Sequence, residues 1–99
     1  MLIYEDFGFN QRGKAREDID NGAFELTGDL PVNIDGGLKC FGHPVGASGL
    51  RMTYEIYKQF QHKVDDPRRQ IKNASRGLSH TFGGGPQLSA VLIAGNELG

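Results

Sequence analysis

Hydrophobic and polar positions alternate with helical spacing in one long segment of the chain, residues 47–64. At about 100° per residue, a single face of this segment carries mostly apolar and aromatic side chains. The spacing predicts an amphipathic helix over residues 47–64, with Pro67 in its end region. The residues on the predicted face are Leu50, Thr53, Tyr54, Tyr57, Phe60 and Val64.

Two segments near the C-terminus show strand patterns instead. Residues 74–82 alternate between two sides, and residues 88–94 (LSAVLIA) form a continuous apolar run, which is typical of a strand covered on both faces. The glycine-rich residues 83–87 between them predict a hairpin connection. With the helix over residues 47–64, this pattern predicts an α/β fold.

The first third of the chain has weaker signals. Residues 1–7 predict the end of a helix that stops at Gly8, and residues 14–21 predict a short exposed helix closed by Gly22. Residues 23–31 carry turn signals and residues 32–34 suggest a short strand. Because two modest helices cannot cover both faces of residues 88–94, we expect residues 1–99 to be a single domain, or part of one, that is incomplete by itself.

Composition narrows the function classes. The 99 residues carry a net charge of −1 and no basic patch, so nucleic acid and anionic membranes are not expected partners. No apolar run reaches membrane-spanning length, and residues near the N-terminus show no signal-peptide pattern. The single cysteine excludes an internal disulfide and a cysteine-based metal cluster, and it predicts a reducing compartment such as the cytoplasm.

The candidate chemistry lies in residues 33–49, NIDGGLKCFGHPVGASG. His43 stands between Gly42 and Pro44, just before the predicted helix. Glycines such as Gly42 and Gly46 permit close approach of a substrate to the backbone, and Pro44 suits a first helical turn. The positive end of a helix dipole disfavours an imidazolium ion, so His43 is expected to be a neutral general base.

These residues resemble a known family. Asn-x-x-Gly-Gly followed by Gly-His-Pro-x-Gly-Ala-Ser-Gly is similar to the signature near the C-terminus of thiolases, in particular those of the sterol-carrier-protein type. Residues 28–33 (GDLPVN) resemble the lead-in of that branch, and residues 76–95 resemble the closing hairpin of the thiolase fold. The sequence departs from the usual pattern at Asp35, Lys39 and Cys40, which flank the core motif.

The resemblance implies acyl transfer between coenzyme A thioesters, with the thioester as substrate and no covalently bound cofactor. His43 would activate a nucleophilic cysteine and help form an oxyanion hole, and the backbone N–H of Gly83 would complete a second one. The family's nucleophile lies in an N-terminal half that this chain does not contain. The implied partners are therefore acyl-CoA and that N-terminal half. The half would come from the same parent chain or from a second subunit, and the assembly would be a homo- or hetero-oligomer.

Residues 81–85 (TFGGG) resemble the family's Cys-x-Gly-Gly-Gly element, with Thr81 in place of an acid/base cysteine. A threonine hydroxyl cannot exchange a proton with the substrate's α-carbon, because its pKa is far too high. In the sterol-carrier-protein-type thiolases that the chain resembles, the second reactive cysteine instead comes from an upstream segment, also absent here, so a thiolase is compatible with Thr81. Two alternatives stay open beside it. One is a non-thiolytic relative, such as a retro-aldolase or an acyltransferase working in a complex, and the other is a non-catalytic assembly module. The chain alone is expected to be inactive.

Other candidates carry less weight. Cys40 matches a structural small-residue position in the resemblance and is expected to be a partly buried thiol. Strand alternation directs His80 away from the Thr81 face, and His62 is expected to be solvated near a helix end. GHPVGASG lacks the ending of a phosphate-binding P-loop, and neither paired carboxylates nor metal-ligand spacing occurs.

Overall fold

A computed structural model of the protein describes residues 2–83 and 85–97, without the side chain of Pro86. The chain divides into two compact units, Met1–Ile34 and Asp35–Gly99. No helix among the described residues has the length and apolarity needed to cross a membrane. The elements are the helices α1 (Leu2–Asp6), α2 (Ala15–Asp20), α3 (Gly37–Phe41) and α4 (Ser48–Phe60), a 3₁₀ helix (Pro67–Arg69), and the strands β1 (Arg76–Gly83) and β2 (Gly85–Gly95).

The first unit contains the two short helices that the sequence predicts. α1 is followed by Gly8 at φ +77° and α2 by Gly22 at φ +79°, so each helix ends near a glycine in the left-handed region. The short strand expected over residues 32–34 is absent. Asn33 at φ +50° interrupts extended backbone, and the N–H of Val32 donates to the loop carbonyl of Phe24 at 3.1 Å.

The second unit contains an antiparallel hairpin of β1 and β2, so the described residues form a small α/β structure, as predicted. The register runs from Arg76 opposite Gly95 to Gly83 opposite Gly85. The predicted connection over residues 83–87 is too long, because β1 extends to Gly83 and β2 begins at Gly85, with a register shift between Phe82 and Gly83. Gly84, the second residue of that predicted connection, lies outside the described residues.

α4 packs against β1 and forms most of the predicted long helix. It ends at Phe60, earlier than predicted, because the chain turns at His62 with φ +54°. The sequence pattern did not predict α3. This helix follows Gly36 at φ +89°, and its first N–H, from Gly37, donates to the Asp35 carboxylate at 2.9 Å.

In a self-contained domain, the apolar face of a surface helix is buried and its polar face is exposed. In α4 the apolar face is exposed instead. Leu50, Tyr54 and Tyr57 on the predicted apolar face are exposed, at 75%, 55% and 48% of their surface. β2 is similarly open, and its exposed apolar side chains are Leu88, Val91, Leu92 and Ile93. Cover for both faces of this strand is therefore not supplied by the described residues.

The buried face of α4 is polar and holds the loops that follow the helix. Lys58 contacts the carboxylates of Glu55 at 3.5 Å and Asp65 at 2.9 Å. The Gln59 side-chain oxygen accepts the N–H of Ile71 at 2.9 Å. Because these buried groups find partners inside the chain, the polar face of α4 is the one that the second unit uses for its own structure.

Candidate active site

His43 lies on the loop between α3 and α4. Gly42 ends α3 at φ +76°, which favours glycine, and its N–H donates to the Leu38 carbonyl at 2.8 Å. The Pro44 carbonyl then accepts the N–H groups of Ala47 at 2.8 Å and Ser48 at 3.0 Å. Because α4 begins only at Ser48, the prediction that Pro44 lies in the first helical turn is wrong: Pro44 opens the turn that leads into the helix.

The His43 ring is held by a buried serine. Its Nδ1 lies 2.6 Å from the hydroxyl oxygen of Ser48, which is only 2% exposed. The same hydroxyl donates to the Pro44 carbonyl at 3.1 Å. His43 itself is exposed. The arrangement fixes one side of the imidazole to the protein and leaves Nε2 as the ring nitrogen for chemistry.

An ion pair fixes the beginning of the His43 loop to α4. The Asp35 carboxylate lies 2.7 Å from Arg51, and both side chains are largely buried. The Arg51 guanidinium also lies over the ring of Phe41, 3.9 Å from its centre, which joins the end of α3 to α4. Asp35, a departure from the family pattern, therefore has a structural contact that stabilises the loop.

The backbone beside His43 is open. A Cβ atom on Gly42 or Gly46 would meet no atom within 4 Å. Close approach of a substrate to this backbone stays a prediction, and the space that it requires is present. Pro44 is exposed beside the same loop.

The first turn of α4 lies beside the strand that carries Thr81. A Cβ atom on Gly49 would come 3.8 Å from the Thr81 methyl carbon, which is ordinary contact. The Thr81 hydroxyl is 3.4 Å from the carbonyl of Phe82, to which it donates. Gly83 ends β1 at the register shift. The structure thus brings the helix start after Ser48 close to Thr81.

The other candidate residues, His80, His62 and Cys40, take no part in the contact between α4 and Thr81. His80 Nε2 lies 2.6 Å from the Ser89 hydroxyl on the neighbouring strand. His62 is exposed, as expected. Cys40 is exposed in α3 beside the backbone of Gly36, so the expectation of a partly buried thiol is wrong. Within residues 2–83 and 85–97, no group of three or more His, Cys, Asp or Glu side chains could hold a metal ion.

Sequence reasoning found His43 but did not assign a role to Ser48 or Arg51. Ser48 follows His43 by five positions, and Arg51 follows Asp35 by sixteen. The signal available for Ser48 is a hydroxyl at the end of the glycine-rich loop, next to the predicted helix start. No pattern in the sequence indicates that Asp35 pairs with Arg51, which lies sixteen positions later.

Comparison with known families matches residues 1–96 to the thiolase C-terminal domain-like family. The chain belongs to this family. The thiolase resemblance of the glycine-rich segment and the closing hairpin is therefore confirmed. The small α/β structure described above is consistent with a thiolase C-terminal-type domain.

Individual relatives are named acetyl-CoA acetyltransferase and sterol carrier protein 2. This thiolase C-terminal domain is 37% identical over 93 residues to an acetyl-CoA acetyltransferase of Methanothermobacter thermautotrophicus, covering 94% of this chain and 24% of that protein. It is 36% identical over 94 residues to sterol carrier protein 2 of Gallus gallus, covering 95% of this chain and 17% of that protein. The chain thus spans about a quarter or less of these curated relatives. No solved structure gives a significant match.

Proposed function

We propose that this thiolase C-terminal domain supplies the histidine base of an acyl-CoA C-acyltransferase. The single observation that carries the proposal is the exposed His43 imidazole, held through Nδ1 by buried Ser48. A ring anchored on one side has a defined direction for its second nitrogen, which is what proton transfer requires. The acetyl-CoA acetyltransferase name of a relative supports the same reaction class.

The chemistry assigned to this loop is proton transfer and charge stabilisation. In the thiolytic direction, His43 takes the proton of a cysteine thiol, and the resulting thiolate attacks the keto carbon of a 3-ketoacyl-CoA. The bond from that carbon to the α-carbon breaks, and the departing acetyl-CoA carbanion takes a proton from an acid of the N-terminal half. The conjugate base of that acid then takes the thiol proton of coenzyme A, whose thiolate displaces the acyl group, and the released cysteine thiolate takes its proton back from His43. Hydrogen-bond donors stabilise the oxyanion that forms. His43 serves one oxyanion and the Gly83 N–H serves a second, while Gly42, Pro44 and Gly46 line the substrate loop. The thioester is a substrate, not a bound cofactor.

The nucleophilic cysteine comes from a thiolase N-terminal half, in the same parent chain or in a second subunit. Two features support such a partner. The exposed apolar side chains of α4 and β2, such as Leu50 and Ile93, need cover from another surface. The curated relatives are about four to six times as long as this chain, as the coverage of 24% and 17% shows.

A non-thiolytic relative is the second candidate, and Thr81 is the observation that favours it. Its hydroxyl takes the place of the family's acid/base cysteine and donates to the Phe82 carbonyl. A retro-aldolase, or an acyltransferase working in a complex, needs no cysteine at this position. A Thr81→Cys variant that gains thiolysis of a 3-ketoacyl-CoA would favour this candidate over a native thiolase.

The test uses the complete enzyme, as the full-length parent or as this chain reconstituted with the N-terminal half. Acetyl-CoA formed from acetoacetyl-CoA and coenzyme A is measured by mass spectrometry for wild type, His43→Ala and His62→Ala. His43→Ala should lower kcat by ~10²–10⁴-fold, the usual contribution of a general base. His62→Ala is the matched control, because His62 is exposed at the far end of α4.

All three proteins should unfold cooperatively. His43→Ala should show only a modest decrease in the thermal unfolding midpoint, since His43 is exposed but loses its contact with buried Ser48. A kcat for His43→Ala equal to that of wild type would remove the basis of the proposed function. If His43→Ala both loses activity and unfolds, kcat is measured instead for His43→Gln, which keeps a polar side chain of comparable length.

A further inference from the structure

We propose that Ser48 is a positioning residue that fixes the tautomer of His43, so that Nδ1 carries the proton and Nε2 is the proton-accepting atom. The catalytic consequence of this inference rests on the proposed function of His43. The tautomer itself does not, because it follows from the hydrogen bonds of the two side chains.

The Ser48 hydroxyl has one proton and two neighbours that can accept it. The Pro44 carbonyl oxygen lies 3.1 Å away and His43 Nδ1 lies 2.6 Å away. A carbonyl oxygen can only accept, whereas a ring nitrogen accepts or donates according to the tautomer. The location of the hydroxyl proton therefore decides which nitrogen of a neutral His43 carries the ring proton.

Two arrangements are possible, and they differ in the number of hydrogen bonds at a buried group. If Ser48 donates to Pro44, its oxygen accepts from Nδ1–H, and the hydroxyl makes two bonds. If Ser48 donates to Nδ1, the hydroxyl makes one bond, and its two lone pairs face no donor among residues 2–83 and 85–97. Ser48 is 2% exposed, so water does not replace a missing partner easily. The first arrangement is favoured, and it leaves the lone pair on Nε2.

The position of the Pro44 carbonyl is set independently of the His43 tautomer. It already accepts the N–H groups of Ala47 and Ser48 at 2.8 and 3.0 Å. These bonds fix the carbonyl in place at the turn before α4. The hydroxyl of Ser48 consequently has an acceptor whose position is set by the backbone and does not change when His43 gains or loses a proton.

The test measures the tautomer in the full chain. Long-range proton–nitrogen spectra of the ¹⁵N-histidine-labelled protein, recorded at a pH where the imidazoles are neutral, distinguish protonated from unprotonated ring nitrogens. We expect an unprotonated Nε2 and a protonated Nδ1 for His43. The opposite assignment in the wild-type protein would overturn the inference without any variant.

Variants then connect the tautomer to the hydroxyl. Ser48→Ala should give His43 nitrogen shifts averaged between the two tautomers, and Ser48→Thr, which keeps a hydroxyl on the same Cβ, should restore the wild-type shifts. Ser89→Ala is the matched control, because Ser89 lies 2.6 Å from the other bonded ring, His80. It should move the signals of His80 and leave those of His43 unchanged. Unchanged His43 shifts in Ser48→Ala would overturn the inference, and if that variant does not fold, the wild-type spectrum decides.

A kinetic arm separates this inference from the proposed function. In the complete enzyme, Ser48→Ala should lower kcat roughly 10- to 100-fold, by analogy with the loss of partners that orient metal-bound histidines, with little change in KM and recovery in Ser48→Thr. If His43→Ala abolishes activity but Ser48→Ala leaves kcat and the tautomer unchanged, the positioning role is wrong and the proposed function stands. If the tautomer responds to Ser48 but His43→Ala stays active, the proposed function is wrong and the tautomer assignment stands.

Discussion

Gly77 in β1 lies directly against the side chain of Ile56 in α4. A Cβ atom added at position 77 would come 2.6 Å from Ile56 Cγ2 and 3.1 Å from Cγ1. Both atoms are attached to the branched Cβ of isoleucine, where rotation is restricted. Relief of the contact would therefore require movement of the helix away from the strand, and this contact sets how closely α4 approaches the hairpin.

Gly77→Ala should accordingly destabilise the protein by about 1–3 kcal/mol, the usual cost of overpacking. The measurement is the free energy of unfolding from urea denaturation. Gly95→Ala provides the matched control, since a Cβ there would meet only the Ser75 carbonyl at an ordinary 3.6 Å. Equal free energies of unfolding for the two variants would mean that the α4–β1 contact is looser than described.

Asp66 is predicted to have a low pKa because of Arg68. The Arg68 side chain, and then its backbone N–H, hydrogen-bond the carboxylate and lower the pKa of Asp66 from 3.8 to about 2. Since the folded pKa lies below the unfolded one, the contribution of Asp66 to stability is present above about pH 4. It is lost as the pH falls toward about 2.

Arg68→Gln should raise the pKa of Asp66 while leaving the backbone bond in place, so the return toward 3.8 should be partial. Carboxyl ¹³C shifts followed by NMR from pH 1 to 6 measure it. An Asp66 pKa that is the same in both proteins would contradict the assigned cause. Arg16→Gln, in the exposed pair with Asp20, should leave the Asp66 titration unchanged.

The full chain, without a partner, is predicted to self-associate or to bind hydrophobic dyes. β2 exposes Leu88 and Ile93 at 66% and 69%, and an open apolar strand tends to pair with another chain. Analytical ultracentrifugation and dye fluorescence test this. Ile93→Lys should reduce both signals, whereas Glu97→Lys, a charge change at an already polar exposed position, should not. A cooperative monomer that binds no dye would contradict the prediction.

The chain alone is also predicted not to turn over acetoacetyl-CoA. By the thiolase resemblance, the cysteine nucleophile belongs to a segment that these residues do not include, and Thr81 stands at the position of the acid/base cysteine. The assay is formation of acetyl-CoA with the purified chain, with Cys40→Ala as the companion variant. Turnover by wild type that disappears in Cys40→Ala would make the exposed Cys40 the nucleophile and reverse its present interpretation.

Local sequence patterns were sufficient to predict the long helix and the long strand, in which many residues follow one hydrophobic pattern. α4 was evident from its helical spacing and β2 from its apolar run, although β2 extends beyond residues 88–94 on both sides. α3 was not evident, because its five residues begin with a glycine and depend on contacts with Asp35 and Arg51. The strand over residues 32–34 was wrong because β-propensity without a partner strand does not make a strand.

The candidate site was likewise predicted only in part from the sequence. The motif singled out His43, because Gly-His-Pro-x-Gly-Ala-Ser-Gly resembles the thiolase signature and places a histidine just before a predicted helix. The contact of His43 with Ser48 depends on how the turn after Pro44 folds back, and the position of Thr81 near Gly49 depends on the packing of α4 against β1. His43 and Ser48 are five residues apart within one motif, but that spacing by itself does not show a contact. The proximity of Gly49 and Thr81 has no sequence spacing that could reveal it.

The opposite faces of α4 should respond differently to random mutagenesis. A selection for folding alone would restrict Glu55, Lys58 and Gln59, which are buried among partners inside the chain, and would accept many residues at Leu50 and Tyr54. A selection for activity of an assembled enzyme would also restrict Leu50 and Tyr54. Positions that tolerate change in the first screen but not in the second would therefore map the footprint of the assembly on this helix.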